Sequence, residues 1–337
     1  MQGERFIMKK IVSFFGDRSD IFIELNRQAE SYARERGLAY EWVPQNPFDE
    51  DDVVSHLMKA DAGIIDIQPY GESIFSRIAG YTKLLVRFGV GYDKVDLAAA
   101  SRYGIAVART TGANTTGVAE MALSLILASR RQLKLAQKQV DEGCWDKTVI
   151  NETVGSTIGI LGLGSIGRAL AGLVSGLNCR VIAYDPFPDE TTAAALGVEL
   201  VGIEELFSVS DAISIHAPYS QETHHLVNAR LLALMKPTAV IVNTARGGII
   251  DEEALCHACK AGMIRGAALD VYPQEPLPKE SPLVGVENLI LTPHLSSQTE
   301  ESLWRIYSMA IDIAADFFSG KVSEHILNPD FSVNTLN

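Results

Sequence analysis

Three side chains in the second half of the chain together suit the oxidation of an alcohol. Arg246 follows the apolar run 239–243, Glu275 lies on a loop bounded by prolines, and His294 comes directly after Pro293. A guanidinium can bind a carboxylate through two hydrogen bonds and polarise a neighbouring carbonyl. An imidazole can take up or return a hydroxyl proton, and a carboxylate beside it orients the ring. This set suits hydride transfer at a 2-hydroxy acid, although each residue taken alone is more often a structural partner.

A glycine-rich motif of the form G-x-G-x-x-G follows the apolar run 158–161 and opens a helical segment. Its glycines are Gly162, Gly164 and Gly167. The first permits a tight turn, the second lets the backbone approach a pyrophosphate, and the third lets helix and strand pack closely. The N-terminus of the following helix offers unpaired N–H groups to the phosphates. The motif predicts a dinucleotide-binding turn.

An acidic residue lies at the position where a dinucleotide-binding turn is normally followed by one. Asp185 ends the predicted strand 180–184, about 20 residues beyond the glycines, and is placed to bind the ribose hydroxyls of a dinucleotide. A carboxylate there repels a 2′-phosphate, and neither Arg nor Lys occurs in 186–190. The prediction is therefore NAD rather than NADP as the cofactor.

Short apolar runs rich in branched residues alternate with helix-length segments along the whole chain. This order predicts parallel strands covered by helices on both faces, and hence an α/β protein with doubly wound parallel sheets. The predicted strands are 11–15, 62–67, 84–88, 158–161, 180–184, 212–216, 239–243, 266–269 and 289–291.

Two amphipathic segments predict long helices, one over 115–140 and one over 303–318. A helix over 115–140 would be about 35–40 Å long, enough to cross between two domains. We therefore expect the chain to leave the first domain near residue 110 and to return near 296. The predicted domains are 1–109 plus 296–337, which bind substrate, and 110–295, which binds the cofactor.

Composition excludes several classes of protein. The 337 residues carry 29 Lys and Arg against 42 Asp and Glu, a net charge of −13, which disfavours nucleic acid and anionic lipid as partners. No uncharged run reaches the roughly 18–20 apolar residues of a membrane-spanning helix. After Lys9 and Lys10 the apolar run ends within five residues, which favours a strand over a signal peptide and predicts a cytoplasmic protein.

The four cysteines are too few for a disulfide scaffold in a chain of this length. Cys256 and Cys259 form a C-x-x-C within the predicted helix 251–263. Without a second Cys or Cys/His pair, helix packing is favoured over metal or redox chemistry. No metal is predicted.

Many motifs in a fixed order resemble the D-isomer-specific 2-hydroxyacid dehydrogenase family, with phosphoglycerate and glycerate dehydrogenase-like members most similar. The resemblance implies a Rossmann cofactor domain inserted into a flavodoxin-like substrate domain, with the active site in their cleft. It also implies a homodimer through the cofactor domains, using the helix 115–140 and an arm that contains Trp145. The motifs are 88–96, 114–127, 162–167, 216–218, 222–223, 235–237, 243–248, 251–255, 268–276 and 293–294.

The resemblance also implies roles for single residues. Arg246 would bind the substrate carboxylate and carbonyl, and Glu275 would be the partner of His294, the general acid/base. Val90 and Gly91 would offer backbone N–H groups to the substrate carboxylate. The cofactor would be bound by Gly162, Gly164, Ser165, Ile166 and Gly167 at the pyrophosphate, Asp185 at the ribose, Ala217, Pro218 and Thr223 along the groove, and Thr244, Ala245 and Asp270 at the nicotinamide.

The sequence leaves two substrate classes and one alternative function to be distinguished. Phosphoglycerate-type members carry basic residues on the loop corresponding to 68–72, which here has none. This favours an unphosphorylated acid, although Arg87 could supply one charge. The alternative function is an NAD-sensing, corepressor-like interaction protein with little turnover, which would keep the same three residues. Formate dehydrogenase relatives carry Gln beside the histidine, and Glu275 counts against them.

Overall fold

A computed structural model describes residues 8–45, 47–321 and 323–331 of the chain. Their contacts divide them into two units: the described residues up to Asn114 together with those from Glu300 onward, and Thr115–Thr299. The two ends of the predicted substrate domain, 1–7 and 332–337, lie outside the described residues.

The first unit is a five-stranded parallel sheet in the order β2-β1-β3-β4-β5. This is the flavodoxin-like doubly wound order. Its strands are β1 (Lys9–Ser13), β2 (Leu38–Trp42), β3 (Ala62–Ile65), β4 (Leu84–Arg87) and β5 (Ala106–Arg109). Its helices are α1 (Asp20–Glu35), α2 (Glu50–Leu57), α3 (Glu72–Ile78), α4 (Leu97–Arg102) and, from the end of the chain, α12 (Glu300–Phe318).

The second unit is a seven-stranded parallel sheet whose strands are β6 (Thr157–Leu161), β7 (Arg180–Tyr184), β8 (Glu199–Leu200), β9 (Ala212–Ile215), β10 (Val240–Asn243), β11 (Gly266–Leu269) and β12 (Leu289–Leu291). Its helices are α5 (Thr115–Arg130), α6 (Leu133–Asp141), α7 (Ser165–Ser175), α8 (Glu190–Ala195), α9 (Ile203–Val209), α10 (Ala229–Leu232) and α11 (Glu252–Lys260), with a 3₁₀ turn at Gly247–Ile249. The sheet order is β12-β11-β10-β9-β6-β7-β8. This is the Rossmann order with one further strand, and it reverses beside β6, so the carboxyl ends of β6 and β9 flank the crevice where such sheets bind ligands.

The strands are continuous apolar runs in the sequence because both faces of each sheet are buried. In β10, Val240 and Val242 belong to the hydrophobic cluster on one face of the sheet, and Ile241 belongs to the cluster on the other. In β1, Ile11 and Val12 are divided between two clusters in the same way. Successive side chains of a strand point to opposite faces, so both faces of each sheet are buried under helices. The predicted fold class, two doubly wound parallel-sheet domains, is confirmed.

The predicted single helix over 115–140 is wrong. The chain forms α5 and α6 instead, separated at Gln132, which has a left-handed backbone with φ of 49°. The apolar spacing continues across this break, but α6 has no buried residue whereas α5 buries one face. At about 1.5 Å per residue, α5 is roughly 24 Å long rather than 35–40 Å.

Within the described part of the chain, no helix is both long and apolar enough to span a bilayer.

Candidate active site

The glycine-rich turn joins β6 to α7 and is packed tightly on one side and open on the other. Gly162 has φ of +97°, and a Cβ there would lie 2.7 Å from the backbone nitrogen of Ala217. A Cβ on Gly167 would lie 2.3 Å from the carbonyl oxygen of Gly162. Gly164, the residue that precedes α7, has no such neighbour within 4 Å. The turn therefore combines close packing at two glycines with free space at the third, which fits a bound pyrophosphate.

Asp185 lies at the end of β7 and supports this turn. Its Oδ2 accepts a hydrogen bond of 2.8 Å from the backbone N–H of Leu163, between the two glycines, and its Oδ1 accepts one of 2.9 Å from Phe187. A carboxylate oxygen has room for more than one hydrogen bond. The predicted ribose acid is therefore fixed beside the glycine-rich turn, where an adenine ribose would lie in a Rossmann fold.

The loop after β9 forms the other wall of the crevice. Ala217 is buried against Gly162, and Thr223 closes a turn by donating a hydrogen bond of 2.8 Å to the carbonyl of Pro218. His216 shares a 2.9 Å hydrogen bond through Nε2 with the Ser214 hydroxyl. Burial lowers the pKa of His216 to about 4, so its ring is neutral at pH 7.

Arg246 follows β10 on a loop that Asn243 organises. The buried Asn243 side chain accepts a hydrogen bond of 2.9 Å from the N–H of Ala245 and donates one of 2.8 Å to the carbonyl of Arg246. The Arg246 guanidinium donates to the carbonyl of Ala245 at 2.7 Å. Thr244 is buried beside this loop. The sequence alone indicates no role for Asn243, since an amide at the end of a buried strand carries no separate motif.

The loops after β10 and β11 touch through their backbones. A Cβ on Gly247 would lie 2.1 Å from the carbonyl carbon of Tyr272, so this position requires glycine. Tyr272 is buried, and its hydroxyl lies 3.0 Å from the carbonyl oxygen of Leu269, which ends β11, and 2.9 Å from that of Thr292, which follows β12. The segments carrying Arg246, Glu275 and His294 are thereby tied together at one edge of the sheet.

Glu275 and His294 form a hydrogen-bonded pair. The distance between Glu275 Oε2 and His294 Nδ1 is 2.8 Å, and the other carboxylate oxygen accepts a 3.0 Å bond from the N–H of Tyr272. The side chains are 22% and 36% exposed, respectively, so the pair is partly screened from water but accessible. Because an ionised carboxylate only accepts hydrogen bonds, Nδ1 carries the proton and Nε2 is the nitrogen that can exchange one with a ligand.

Asp270 holds the loop that bears His294. The carboxylate is fully buried, and one oxygen accepts bonds of 2.6 Å from the Thr292 hydroxyl and 3.0 Å from the N–H of Leu295. The other accepts from the Ser296 N–H at 2.9 Å and from its hydroxyl. His294 between them has a left-handed backbone with φ of 53°, which is costly for a residue other than glycine. Asp270 therefore holds an unfavourable backbone in place.

The remaining predicted residues fall in two places. Ser165 and Ile166 open α7, where backbone N–H groups have no partner within the helix. Val90 and Gly91 lie on the first unit, in the loop after β4, where Gly89 donates its N–H at 2.9 Å to the Thr110 hydroxyl. Each unit thus presents its predicted residues after the carboxyl end of a strand.

Cys256 and Cys259 are buried on α11, and the Cys256 thiol donates to the carbonyl of Pro282 at 3.2 Å. Burial raises the pKa of Cys259 to about 12, which leaves the thiol protonated and unreactive. Both residues pack in the helix, as the sequence suggested. In residues 8–45, 47–321 and 323–331, no three His, Cys, Asp or Glu side chains are grouped closely enough to hold a metal ion.

Comparison with known proteins assigns the family. Residues 123–296 match the family model described as "D-isomer specific 2-hydroxyacid dehydrogenase, NAD binding domain". The chain belongs to this family. The match confirms the predicted resemblance to the D-2-hydroxyacid dehydrogenases. The matched residues lie almost wholly in the second unit, which is therefore the NAD-binding domain.

Individual relatives of the chain within the family differ in length. The chain is 42% identical over 276 residues to a D-3-phosphoglycerate dehydrogenase of Synechocystis, covering 78% of this chain and 49% of that protein. It is 33% identical over 296 residues to a glyoxylate reductase of Korarchaeum cryptofilum, covering 86% and 89%. The chain therefore spans about half the length of the phosphoglycerate dehydrogenase and most of the length of the glyoxylate reductase.

A solved structure with the same fold is the NAD-dependent formate dehydrogenase from Staphylococcus aureus in complex with NAD. It is 31% identical, has a TM-score of 0.79, and covers 94% of this chain and 98% of its own.

Proposed function

We propose that this protein is an oxidoreductase that transfers a hydride between NAD(H) and a small D-2-hydroxy acid or the corresponding 2-keto acid. The observation that carries the proposal is the 2.8 Å pair between His294 and Glu275 at the same sheet edge as the loop bearing Arg246. A base oriented by a carboxylate, beside a guanidinium, is the set that a hydroxy acid requires. Membership of the dehydrogenase family supports the same activity.

His294 acts as the general acid/base in this proposal. NADH, when bound, supplies the hydride for reduction of the keto acid. Nε2 of His294 then gives its proton to the carbonyl oxygen, and in the reverse direction it accepts the proton of the hydroxyl group. Glu275 accepts a hydrogen bond of 2.8 Å from Nδ1–H throughout, so it keeps the ring oriented and stabilises the positive charge that the ring carries when Nε2 is also protonated.

Arg246 binds the substrate carboxylate and polarises its carbonyl. A planar guanidinium forms two parallel hydrogen bonds with a carboxylate, which fixes the orientation of the acid. The bond from Arg246 to the carbonyl of Ala245 holds the side chain against its own loop, and Asn243 holds that loop. The resemblance further assigns backbone N–H groups of Val90 and Gly91 to the same carboxylate, and this assignment stays a prediction.

The cofactor-binding residues follow from the crevice beside β6. Ser165 and Ile166 offer N–H groups to the pyrophosphate above Gly164, and Asp185 binds the ribose hydroxyls. Further roles are those given by the resemblance: Ala217, Pro218 and Thr223 along the groove, and Thr244, Ala245 and Asp270 near the nicotinamide. The four hydrogen bonds that Asp270 accepts support a second role for it, namely positioning His294.

We further propose that the substrate is an unphosphorylated acid. Arg87, the cation at the end of β4, is 6% exposed and donates to the carbonyls of Phe88 at 2.6 Å and Ile65 at 3.4 Å. Its guanidinium is also 3.9 Å from the carboxylate of Asp66. A buried cation that is already bound to carbonyls and next to an acid is poorly suited to hold a phosphate dianion.

The loop after β3 adds no positive charge. It runs through Gln68, Pro69 and Tyr70 to Glu72, whose carboxylate accepts bonds from Arg102 and Tyr103. Basic residues of the neighbouring segments include Lys94, which is exposed, and Arg109, whose guanidinium lies 5.2 Å from the Tyr92 ring centroid. The loop after β3 therefore provides no cation for a phosphate group, which supports a substrate without one.

A second copy of the chain is the proposed partner. Helix α6 has no buried residue, and Leu133 and Val140 on it are 55% and 54% exposed. In the segment that follows, Trp145 is 80% and Val149 is 94% exposed. Large apolar side chains exposed in one continuous stretch are typical of a protein interface. This supports the homodimer that the family resemblance predicts.

The deciding experiment is NADH oxidation by the purified protein with a panel of 2-keto acids. The panel contains glyoxylate, hydroxypyruvate, a branched and an aromatic 2-keto acid, and 3-phosphohydroxypyruvate. We expect the best unphosphorylated acid to exceed 3-phosphohydroxypyruvate in kcat/KM by about tenfold or more, the scale of one charge-assisted contact.

Three outcomes distinguish the proposals. A preference for 3-phosphohydroxypyruvate overturns the substrate class and leaves the hydride transfer intact. Absence of turnover with every acid, while NADH still binds, overturns the dehydrogenase proposal and favours the NAD-sensing alternative. Turnover that is the same in wild type and His294→Ala overturns the assigned acid/base.

A further inference from the structure

Arg168 on α7 is a cation that contacts the glycine-rich turn beside the predicted ribose acid. It follows Gly167 directly, and its Nε donates a hydrogen bond of 2.9 Å to the carbonyl of Leu163. Its terminal Nη2 lies 3.4 Å from the carboxylate of Asp189, and the side chain is 38% exposed. The guanidinium thus lies between the glycine-rich turn and the start of α8, within reach of solvent.

Asp185 and Arg168 bind the two backbone polar groups of Leu163 in the same turn. The N–H of Leu163 donates to Asp185 at 2.8 Å, while the carbonyl of Leu163 accepts from Arg168 at 2.9 Å. One residue of the turn therefore links an acid and a base. Asp185 is the proposed ligand of the ribose hydroxyls, and Arg168 is bound to the same residue of the turn as Asp185.

The sequence offered no such cation. The segment 186–190 has neither Arg nor Lys, so the sequence alone assigns the discrimination against NADP to Asp185. The structure brings a guanidinium to this place from 17 positions earlier in the chain. A guanidinium is the side chain best suited to phosphate. Here it is neutralised by Asp189, which also caps α8 by accepting from the N–H of Thr192 at 3.0 Å.

We propose that Arg168 is a latent 2′-phosphate ligand, and that the preference for NAD is set by the balance of Asp185 and Asp189 against this one guanidinium. Two carboxylates beside the site repel the phosphate dianion, and the ion pair with Asp189 keeps Arg168 from binding it. Removal of the acidic charge releases the guanidinium to a phosphate. This inference rests on the proposed dinucleotide binding and deepens it.

A structural role for Arg168 is the competing explanation. The bond to Leu163 supports the glycine-rich turn, and loss of that support would weaken NADH and NADPH by the same factor. A latent phosphate ligand acts on NADPH alone. The ratio of the two dissociation constants therefore separates the two roles without reference to turnover.

The test measures the dissociation constants of NADH and NADPH by fluorescence titration of the intact protein without substrate. The variants are Asp185→Asn, the double variant Asp185→Asn/Asp189→Asn, and the double variant Asp185→Asn/Arg168→Gln. Asparagine retains an oxygen that can accept from Leu163 and is a good N-cap, so the turn and α8 are preserved. Arg180→Gln is the matched control, because Arg180 lies at the opposite end of β7 and pairs with Glu199 at 2.6 Å.

We expect wild type to bind NADH at least about tenfold more tightly than NADPH, and Asp185→Asn to shift that ratio about tenfold toward NADPH. Adding Asp189→Asn should shift it further. Adding Arg168→Gln to Asp185→Asn should remove the gain for NADPH and change the NADH constant by less than about threefold, and Arg180→Gln should change neither.

Two results overturn the inference. One is that Asp185→Asn/Arg168→Gln keeps the NADPH affinity of Asp185→Asn. The other is that adding Arg168→Gln to Asp185→Asn weakens the binding of NADH and NADPH by the same factor. If wild type binds neither dinucleotide, the proposed function itself fails, and this result is distinct from the other two.

Discussion

The two sheets use the turn after their first strand in opposite ways. In the first unit, Phe15 follows β1 and stacks on Phe88 with 3.6 Å between ring centroids, and a Cβ on Gly16 would lie 2.6 Å from the Phe22 ring. In the second unit, the corresponding turn holds Gly164, beside which there is open space. One turn is filled by aromatic rings and the other is left empty. A doubly wound fold therefore does not by itself provide a dinucleotide site, and the residues of this turn do.

The charged residues after the strands differ in the same way. Arg87 of the first unit is buried and donates to backbone carbonyls. Glu275 and His294 of the second unit are partly exposed and bind each other. A cation satisfied by carbonyls stabilises a loop, whereas an exposed, oriented imidazole can exchange a proton. The residues after the strands of the first unit therefore serve packing, whereas Glu275 and His294, after β11 and β12 of the second unit, form a pair that can exchange a proton with a ligand.

The largest expected effect comes from removing the imidazole of the second unit. His294→Ala should lower kcat by about 10²–10⁴-fold, the usual contribution of a general acid/base. The dissociation constant of NADH should change by less than about threefold, because the glycine-rich turn is untouched. Steady-state kinetics with the best 2-keto acid and a fluorescence titration measure the two quantities.

His225→Ala is the matched control for this variant. His225 also has a left-handed backbone, with φ of 48°, and lies in the same unit, but it stacks on His224 instead of pairing with Glu275. We expect it to keep at least about half of the wild-type kcat. Full activity in His294→Ala, or an equal loss in both variants, would contradict the role of the His294–Glu275 pair.

The next largest effect should come from the aromatic turn of the first unit. Phe88 is 5% exposed, and Phe88→Ala should lower the free energy of unfolding of this unit by about 3–5 kcal/mol. The binding of NADH should be unchanged. A Trp145→Phe background leaves Trp42 and Trp304 as the only tryptophans, both in the first unit, so fluorescence in a urea titration reports on that unit.

Tyr81→Ala serves as the control, since Tyr81 is 53% exposed in the same unit and its loss should cost less than about 0.5 kcal/mol. The comparison between the two turns fails if Phe88→Ala weakens NADH binding while the first unit remains as stable as before.

The strands that carry the site could be predicted because both of their faces are buried. β10 and β11 consist of buried residues throughout, so their apolar runs stand out without any periodicity. β2 was missed because it is an edge strand in which only Leu38 is buried. β8 was missed because it has only two residues. In this chain, a short apolar run therefore identifies a strand only when both faces of that strand are buried.

Two features could not be read from the sequence for different physical reasons. The break at Gln132 depends on two residues leaving helical geometry, and the apolar spacing of the surrounding segment is the same with or without it. Arg168 and Asp270 act through partners on other loops, Asp189 and Ser296, and no local pattern encodes those contacts. Spacing predicts the groups that we propose for the chemistry, whereas the groups that hold them depend on tertiary contacts.

The smallest expected effect, and the most direct test of the open turn, is Gly164→Val. The backbone at Gly164 has φ of −73° and no atom within 4 Å of a built Cβ, so the fold accepts a side chain at a cost of about 1 kcal/mol from the lost N-cap preference. The added methyl groups fill the space that a pyrophosphate needs, and NADH should bind about tenfold or more weakly in a fluorescence titration. Gly71→Val is the control, because Gly71 precedes α3 of the first unit with equally open surroundings. Equal NADH affinity in the two variants would mean that the open turn is not where the dinucleotide binds.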